Sequence, residues 1–363
     1  MQRVLVVGMT ANPGGLEAVV MNYYRKLDRS RIQFDFLITT PTMAYESEAR
    51  ALGAHIFSIT ARRVNPFKFT IELHRFFAEH ATDYDILWAN LCSLVNIDYL
   101  KMAARYSIPK RIVHCHNSRN MNDALRGVLH DMHRRSITRY ATDYWSCSDN
   151  AAEWFFGKGI RSNPRYRYIP NGVDPSQYQF NEQIRESKRK ELGVKDGQIL
   201  IGNIGRLHTQ KNQSFLLKAF AALSNRDARY RLIIVGDGDL RPSLEQEIND
   251  LGLQASVQLL GVRHDMADLY NAMDIFVLPS LFEGVSIALL EAQSNGLPCL
   301  ISDTLSDEGI VNDNIRKVSI ENIDGWRTVI PQTGITRVSI NKMLGSDFDI
   351  NKQVSSFMQD LLD

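Results

Sequence analysis

The sequence predicts an α/β protein made of two doubly wound parallel sheets in tandem. Short apolar runs bounded by turn residues alternate with segments of helical period, which is the grammar of parallel strands joined by crossover helices. The alternation lapses in a polar, charge-rich stretch at 181–198 and then restarts. With 363 residues the chain exceeds one ordinary domain and can bury two cores. The expected division is 1–180 for the first domain, 181–345 for the second and 346–363 for a last helix.

The first strand is Val4-Leu5-Val6-Val7, closed by Gly8, and further strands are expected at 34–38, 86–88, 111–115, 144–147 and 167–169. Helices are expected between them at 16–27, 47–52, 67–80 and 97–106. In the second half the strands are 199–204, 230–235, 257–259, 275–279 and 299–302, separated by helices at 213–223, 243–251, 266–271 and 287–295. After Ile301 the rhythm weakens. The last helix, 351–362, carries Val354, Phe357, Met358, Leu361 and Leu362 at helical spacing, a stripe that needs a surface to cover.

Composition excludes several classes. The 42 basic and 41 acidic residues leave a formal charge of +1, so no global field draws the chain to nucleic acid. Cys92, Cys115, Cys147 and Cys299 lack metal-ligand or redox-motif spacing and fit a reduced compartment. Residues 1–8 lack the basic, apolar and small-residue order of a secretory leader, so secretion is not expected, and the apolar segment 87–100 is interrupted by Asn90, Ser93, Asn96 and Asp98 and is too short to span a bilayer. A cytoplasmic protein, either soluble or resting on a membrane surface, is expected.

Three places carry candidate chemistry. Gly14-Gly15 follow the first strand and open a helix, where backbone amides can meet an anion; the full dinucleotide fingerprint is absent. Gly202-Asn203-Ile204-Gly205-Arg206 ends a strand with a cation at its C-terminal edge, and Lys211 follows where the next helix begins. Two cations on such a loop suit a diphosphate whose charge must be stabilised as a bond breaks. The third place runs from Pro279 through Glu283-Gly284-Val285-Ser286 to Glu291, with Ser286 a candidate helix cap and the amides of Gly284, Val285 and Ser286 turned to the same anion. If the segment between the glutamates is helical, about 1.5 Å per residue sets the carboxylates roughly 12 Å apart. A hydrolase pair on one glycosidic bond needs about 5 to 9.5 Å, so these two grip different parts of one long ligand. A carboxylate accepting two hydroxyl hydrogens is a natural ribose clamp.

These residues resemble the GT-B-fold, retaining glycosyltransferases of family 4, along nearly the whole chain. The similarity rests on Gly14-Gly15, His116, Pro170-Asn171-Gly172-Val173-Asp174, Arg206 with Lys211, Val235-Gly236-Asp237-Gly238 and above all Glu283 to Glu291. The wording from Gly14 to Tyr24 resembles bacterial members that build exopolysaccharide, capsule or O-antigen units. The resemblance implies two Rossmann-like domains facing a cleft, with the final helix crossing back to the first. It also implies a UDP-sugar donor and a saccharide acceptor, lipid-linked in such pathways. Arg206 and Lys211 would bind the donor diphosphate, Glu291 the ribose, Glu283 the transferred sugar and Gly15 the phosphates, with His116 at a sugar hydroxyl. His114, two residues earlier on the same strand, points the same way and competes for that role. The family keeps the anomeric configuration and uses no metal; Asp237-Gly238-Asp239 matches its Gly-Asp-Gly turn better than a metal site. One departure from the pattern is the polar stretch 304–314, expected to be a substrate-facing loop.

Residues 101–140 hold nine basic and two acidic residues, a local excess of seven positive charges. Met121, Leu125, Val128, Leu129 and Met132 recur within it at helical spacing. A basic amphipathic helix can rest on anionic lipid headgroups; a core-facing helix needs the same apolar positions. Other readings keep part of the pattern: a phosphosugar-binding protein without turnover, a dinucleotide-dependent oxidoreductase, and a sugar-nucleotide epimerase or hydrolase of the same fold.

Overall fold

The computed structural model describes residues 1–117 and 124–363. They form two compact units, Met1–Gly172 with Ile350–Asp363, and Val173–Asp349.

In the first unit the order is β1 (Gln2–Val7), α1 (Gly15–Lys26), β2 (Ile32–Ile38), α2 (Glu46–Ala51), β3 (Ile56–Ser58), α3 (Pro66–His80), β4 (Ile86–Leu91), α4 (Asp98–Arg105), β5 (Lys110–Cys115), α5 (Ala124–Ser136), β6 (Asp143–Ser146), α6 (Asp149–Phe156) and β7 (Tyr166–Tyr168). All strands are parallel, in the order β3-β2-β1-β4-β5-β6-β7. The order reverses between β1 and β4, and at such a switch point open α/β sheets leave a crevice beyond the strand ends. Gly8 sits there with φ of +110°, and a Cβ on it would lie 1.9 Å from the Asn90 carbonyl oxygen. Only glycine lets β1 leave the sheet so close to β4.

The second unit continues with α7 (Glu182–Glu191), β8 (Ile199–Ile204), α8 (Gln213–Ser224), β9 (Tyr230–Val235), α9 (Arg241–Asp250), β10 (Val257–Gly261), α10 (Met266–Ala272), β11 (Ile275–Leu278), α11 (Ile287–Ser294), β12 (Cys299–Ser302), β13 (Ile315–Val318) and α12 (Ile323–Gln332). Its sheet is β10-β9-β8-β11-β12-β13, again parallel, with the switch between β8 and β11. The two loops that carry Arg206, Lys211 and Glu283 therefore leave adjacent strands on either side of a switch point.

The final helix α13 (Ile350–Leu362) belongs to the first unit. Phe357 stacks on Tyr23 with centroids 4.0 Å apart and meets Trp88 and Trp145 at 5.3 and 5.6 Å. Burying such a ring is worth about 1.5–3 kcal/mol. Arg167 Nε donates to Asp360 Oδ1 at 3.0 Å and fixes the far end of the helix.

Several elements differ from the sequence expectation. The stretch at 181–198 includes α7, whose inward side chains are charged: Arg185 and Arg189 pair with Asp274, and Lys188 with Asp265. Hydrophobic periodicity does not register a helix held this way. Past Ile301 the alternation continues through β13 and α12. Strand β3 has three residues at a sheet edge, and its pattern is too short to read.

Candidate functional site

The second unit brings the cationic and carboxylate loops together. After β8, Gly205 adopts a φ of +157° and the chain turns into Arg206. The turn after β9 packs directly on it: a Cβ on Gly236 would lie 2.2 Å from the Gly205 oxygen, and one on Gly238 2.4 Å from the Leu207 oxygen. Both glycines are thus required by close approach of backbone, which explains Gly-Asp-Gly at this point. Asp237 Oδ1 accepts from the Gly238 amide, while Asp239 lies 3.7 Å from Arg206. Arg206 keeps 65% of its side chain exposed, so its charge faces solvent.

Lys211 ends the Thr209–Lys211 turn, and its Nζ donates to Glu283 Oε1 at 2.6 Å. Only 17% and 10% of the two side chains remain exposed. Gln210 joins the loops as well: its backbone oxygen accepts from the Leu281 amide at 2.8 Å and its side-chain amide donates to the Phe282 oxygen at 3.0 Å. Sequence reasoning missed Gln210; its place between Arg206 and Lys211 was the available signal.

Glu283 sits in the loop before α11, and Glu291 on the helix. Glu291 is 8% exposed and has its own partners, the Tyr178 and Tyr270 hydroxyls at 2.7 and 2.9 Å. The two glutamates thus serve separate polar clusters. Gly284 and Val285 precede the helix as expected. Ser286 occupies its N-cap position, but its hydroxyl makes no capping bond, which corrects the expectation of a side-chain cap.

The stretch at 304–314 is held from two sides. Gln293, fully buried on α11, donates to the Gly309 oxygen and accepts from the Val311 and Asn312 amides. Thr304 Oγ1 donates to the Leu281 oxygen at 3.0 Å, which puts the start of the stretch against the Glu283 loop. Its second half is a packed connection to α11 and not a substrate-facing loop.

In the first unit Gly14 is the N-cap of α1 and Gly15 its first residue. A Cβ on Gly14 would lie 2.7 Å from Glu17 Oε2. Glu17 turns back so that its Oε1 accepts from the Thr10 amide and hydroxyl at 3.1 and 2.7 Å. A carboxylate therefore already lies at the helix end that the sequence offers to a phosphate, and it satisfies the positive dipole there.

His116 follows β5 at the switch-point edge. Its Nε2 lies 2.8 Å from Asn90 Oδ1, a bond that places the proton on Nε2 and leaves Nδ1 an acceptor. Asn90 is a buried polar residue inside an apolar strand, itself a signal of function that the sequence displays. His114 is fully buried, its ring 4.1 Å from His116 and 5.9 Å from Trp88, and neither ring nitrogen has a hydrogen-bond partner. His116 is partly exposed, whereas His114 is closed off from solvent.

Burial disfavours the imidazolium form of both rings, pulling His116 down to about 3 and His114 well below its ordinary value. Because the folded pKa lies below the unfolded one, the stabilisation is complete above about pH 6.5 and is lost as pH falls toward the folded values. Acidification from pH 7 to pH 5 is expected to lower the thermal midpoint of the first unit, followed by near-ultraviolet circular dichroism of its tryptophans; an unchanged midpoint contradicts a neutral pair.

Among the described residues no three His, Cys, Asp or Glu side chains are grouped to hold a metal ion, all four cysteines are free, and no helix is long and apolar enough to cross a membrane. On α5, Leu125, Val128 and Met132 are 70%, 59% and 57% exposed. A core-facing helix does not explain these positions; Arg119 and Met121 of the same stretch lie outside the described residues.

Residues 13–177 match glycosyltransferase family 4, and residues 184–324 match glycosyl transferases group 1. A putative glycosyltransferase of Bacillus subtilis, EpsF, is 34% identical over 323 residues, 85% of this chain and 80% of the relative. The chain belongs to glycosyltransferase family 4. Part of this glycosyltransferase, 42% of its length, is also 36% identical to 40% of the Escherichia coli UDP-Gal:alpha-D-GlcNAc-diphosphoundecaprenol alpha-1,3-galactosyltransferase. Its fold matches that of HepE from Anabaena, solved with UDP and glucose, at a TM-score of 0.79 and 19% identity over the full length of both chains. Two Rossmann-like units of the GT-B kind are thus the architecture of this enzyme, and WaaG, a glycosyltransferase involved in lipopolysaccharide biosynthesis, shares it at a TM-score of 0.69 and 16% identity over 99% of this chain and 95% of that one. The oxidoreductase, epimerase, hydrolase and non-catalytic readings give way to sugar transfer.

Proposed function

We propose that this glycosyltransferase moves a sugar from a UDP-sugar to a lipid-linked saccharide in surface polysaccharide synthesis, keeping the anomeric configuration. The observation that carries the reading is the convergence of Arg206, Lys211 and Glu283 on two loops at the β8/β11 switch point, with Glu291 on the helix that follows. Arg206 and Lys211 take the diphosphate, Glu283 the transferred sugar and Glu291 the ribose; His116 is assigned a sugar hydroxyl. In the transfer, the bond from the anomeric carbon to the diphosphate oxygen breaks and the acceptor oxygen bonds the same face of that carbon. The acceptor proton passes to the departing phosphate oxygen. Cations and helix amides provide the charge stabilisation that a metal supplies elsewhere. One relative, named for both UDP-Gal and a diphosphoundecaprenol acceptor, supports the choice of donor and acceptor classes.

The acceptor class also accounts for the apolar positions exposed on the first unit. At the start of α5 Leu125 and Val128 are accompanied by Arg126, and at the start of α3 Phe67 and Ile71 are 82% and 67% exposed beside Lys68. Crossover helices run against the strands, so the starts of α3 and α5 lie at the C-terminal edge of the sheet, where His116 also sits. An apolar, cationic rim there fits anionic lipid.

One assay tests the reading. The protein is given a UDP-sugar, chelator and a lipid-linked saccharide in vesicles with or without anionic lipid, and the product is read by NMR. An α-linked extension, formed faster on anionic vesicles, is expected. Free sugar alone, a β-linkage or a strict requirement for added metal contradicts the chemistry; equal rates on both vesicles contradict the membrane contact.

A further inference from the structure

We propose that Tyr178 and Tyr270 are positioning residues that make the donor site select a ribonucleotide over its 2′-deoxy counterpart. The inference rests on the ribose reading of Glu291.

A carboxylate as buried as Glu291 is stable only with hydrogen bonds to its charged form. The structure supplies one phenol to each oxygen: Tyr178 donates to Oε1 at 2.7 Å and Tyr270 lies 2.9 Å from Oε2. Tyr270 has one proton for two acceptors, since its hydroxyl also lies 3.0 Å from the Ala288 oxygen, and the ionised carboxylate draws the larger share. Burial and the Glu291 charge hold Tyr270 well above the ordinary phenol range, so it remains a donor.

Both phenols are themselves anchored. Asn295, the C-cap residue of α11 and four positions beyond Glu291, donates to the Tyr178 backbone oxygen at 2.8 Å, so one helix and its cap hold both the hydroxyl and the main chain of Tyr178. Arg337 donates to the Tyr270 backbone oxygen at 3.2 Å and is in turn stacked 3.9 Å from the Phe180 ring centroid. The two phenol rings meet edge to face at 5.8 Å. With a donor bound to each oxygen, the plane of the Glu291 carboxylate is fixed in rotation.

Fixed rotation is what discrimination between one hydroxyl and two requires. An ionised carboxylate can accept about four hydrogen bonds, and the two phenols use one site on each oxygen. A vicinal diol approaching a fixed carboxylate can address both oxygens at once, whereas a 2′-deoxyribose can address one. A carboxylate that can swing would follow the single hydroxyl and lose less. Hydrogen bonds to charged groups set the scale of the preference at roughly ten- to a hundredfold.

The test is calorimetric titration of UDP and 2′-deoxy-UDP into the wild-type protein and into Tyr178→Phe, Tyr270→Phe and Glu291→Gln. Wild type is expected to prefer UDP by at least about tenfold, and each phenylalanine variant to lose most of that preference by binding UDP more weakly while binding 2′-deoxy-UDP as before. Equal weakening of both nucleotides would mean that the tyrosines only support the fold. An intact ratio in the phenylalanine variants, with a collapsed one in Glu291→Gln, overturns the tyrosine assignment and leaves the ribose reading standing. An intact ratio in Glu291→Gln overturns the ribose reading itself. Tyr178 is half-buried, so its variant decides the matter should Tyr270→Phe fail to fold.

Discussion

Replacing Lys211 with methionine is expected to lower the rate of sugar transfer by about a hundred- to a thousandfold, the scale of losing one charge-stabilising group in a water-poor site. The residue sits between two tasks. Its Nζ is 2.6 Å from Glu283 Oε1, and both side chains are largely withdrawn from solvent. Removing the ammonium therefore also strands a partly buried carboxylate, and breaking such a pair costs up to about 3–5 kcal/mol of stability when burial is complete. The two effects separate in the double variant Lys211→Met/Glu283→Gln. Thermal unfolding should show the single variant destabilised and the double variant largely restored, while initial rates at saturating donor stay low in both. A double variant as active as wild type would mean that the pair only ties the two loops together.

The second large effect is on stability. Asp274→Ala is expected to destabilise the second unit by about 3–5 kcal/mol, as for loss of one partner from a buried ion pair. Asp274 is 2% exposed, accepts from the Leu200 amide at 2.7 Å, and pairs with both Arg185 and Arg189 from α7. Without it two guanidiniums remain beside the carbonyls that end α10, with only the exposed Glu182, 3.8 Å from Arg185, to balance them. Urea unfolding monitored in the far ultraviolet provides the measurement; a change below about 1 kcal/mol, the value typical of surface pairs, contradicts the assigned role.

Asp274 also shows what the sequence displays and what it conceals. Parallel strands buried on both faces, such as Val4-Leu5-Val6-Val7 and the β9 run from Tyr230 to Val235, announce themselves by continuous apolar residues, and the two Rossmann-like units follow from their repetition. Helix α7 does not, because it is attached through Arg185, Lys188 and Arg189. The separation of the carboxylates at 283 and 291 into two clusters is legible, since their spacing is a local property of loop and helix. Its supporting residues were not: Tyr178 and Tyr270 reach Glu291 from 113 and 21 residues away in sequence, and no periodic pattern records such distances. Asn90 was visible only as a polar interruption of an apolar strand. At Gly14-Gly15 the pattern that suits an anion also accommodates the protein's own Glu17, a neighbour that the sequence does not distinguish from a ligand.

Arg206 offers the cleanest test of the central claim, because its exposed side chain can be removed without stranding a buried partner. Calorimetric titration of UDP in the presence of chelator should show binding to the wild-type protein, weakened by about tenfold or more in Arg206→Ala and more still in Arg206→Ala/Lys211→Met. Unchanged affinity in both variants would contradict the claim that this pair of cations forms the diphosphate clamp.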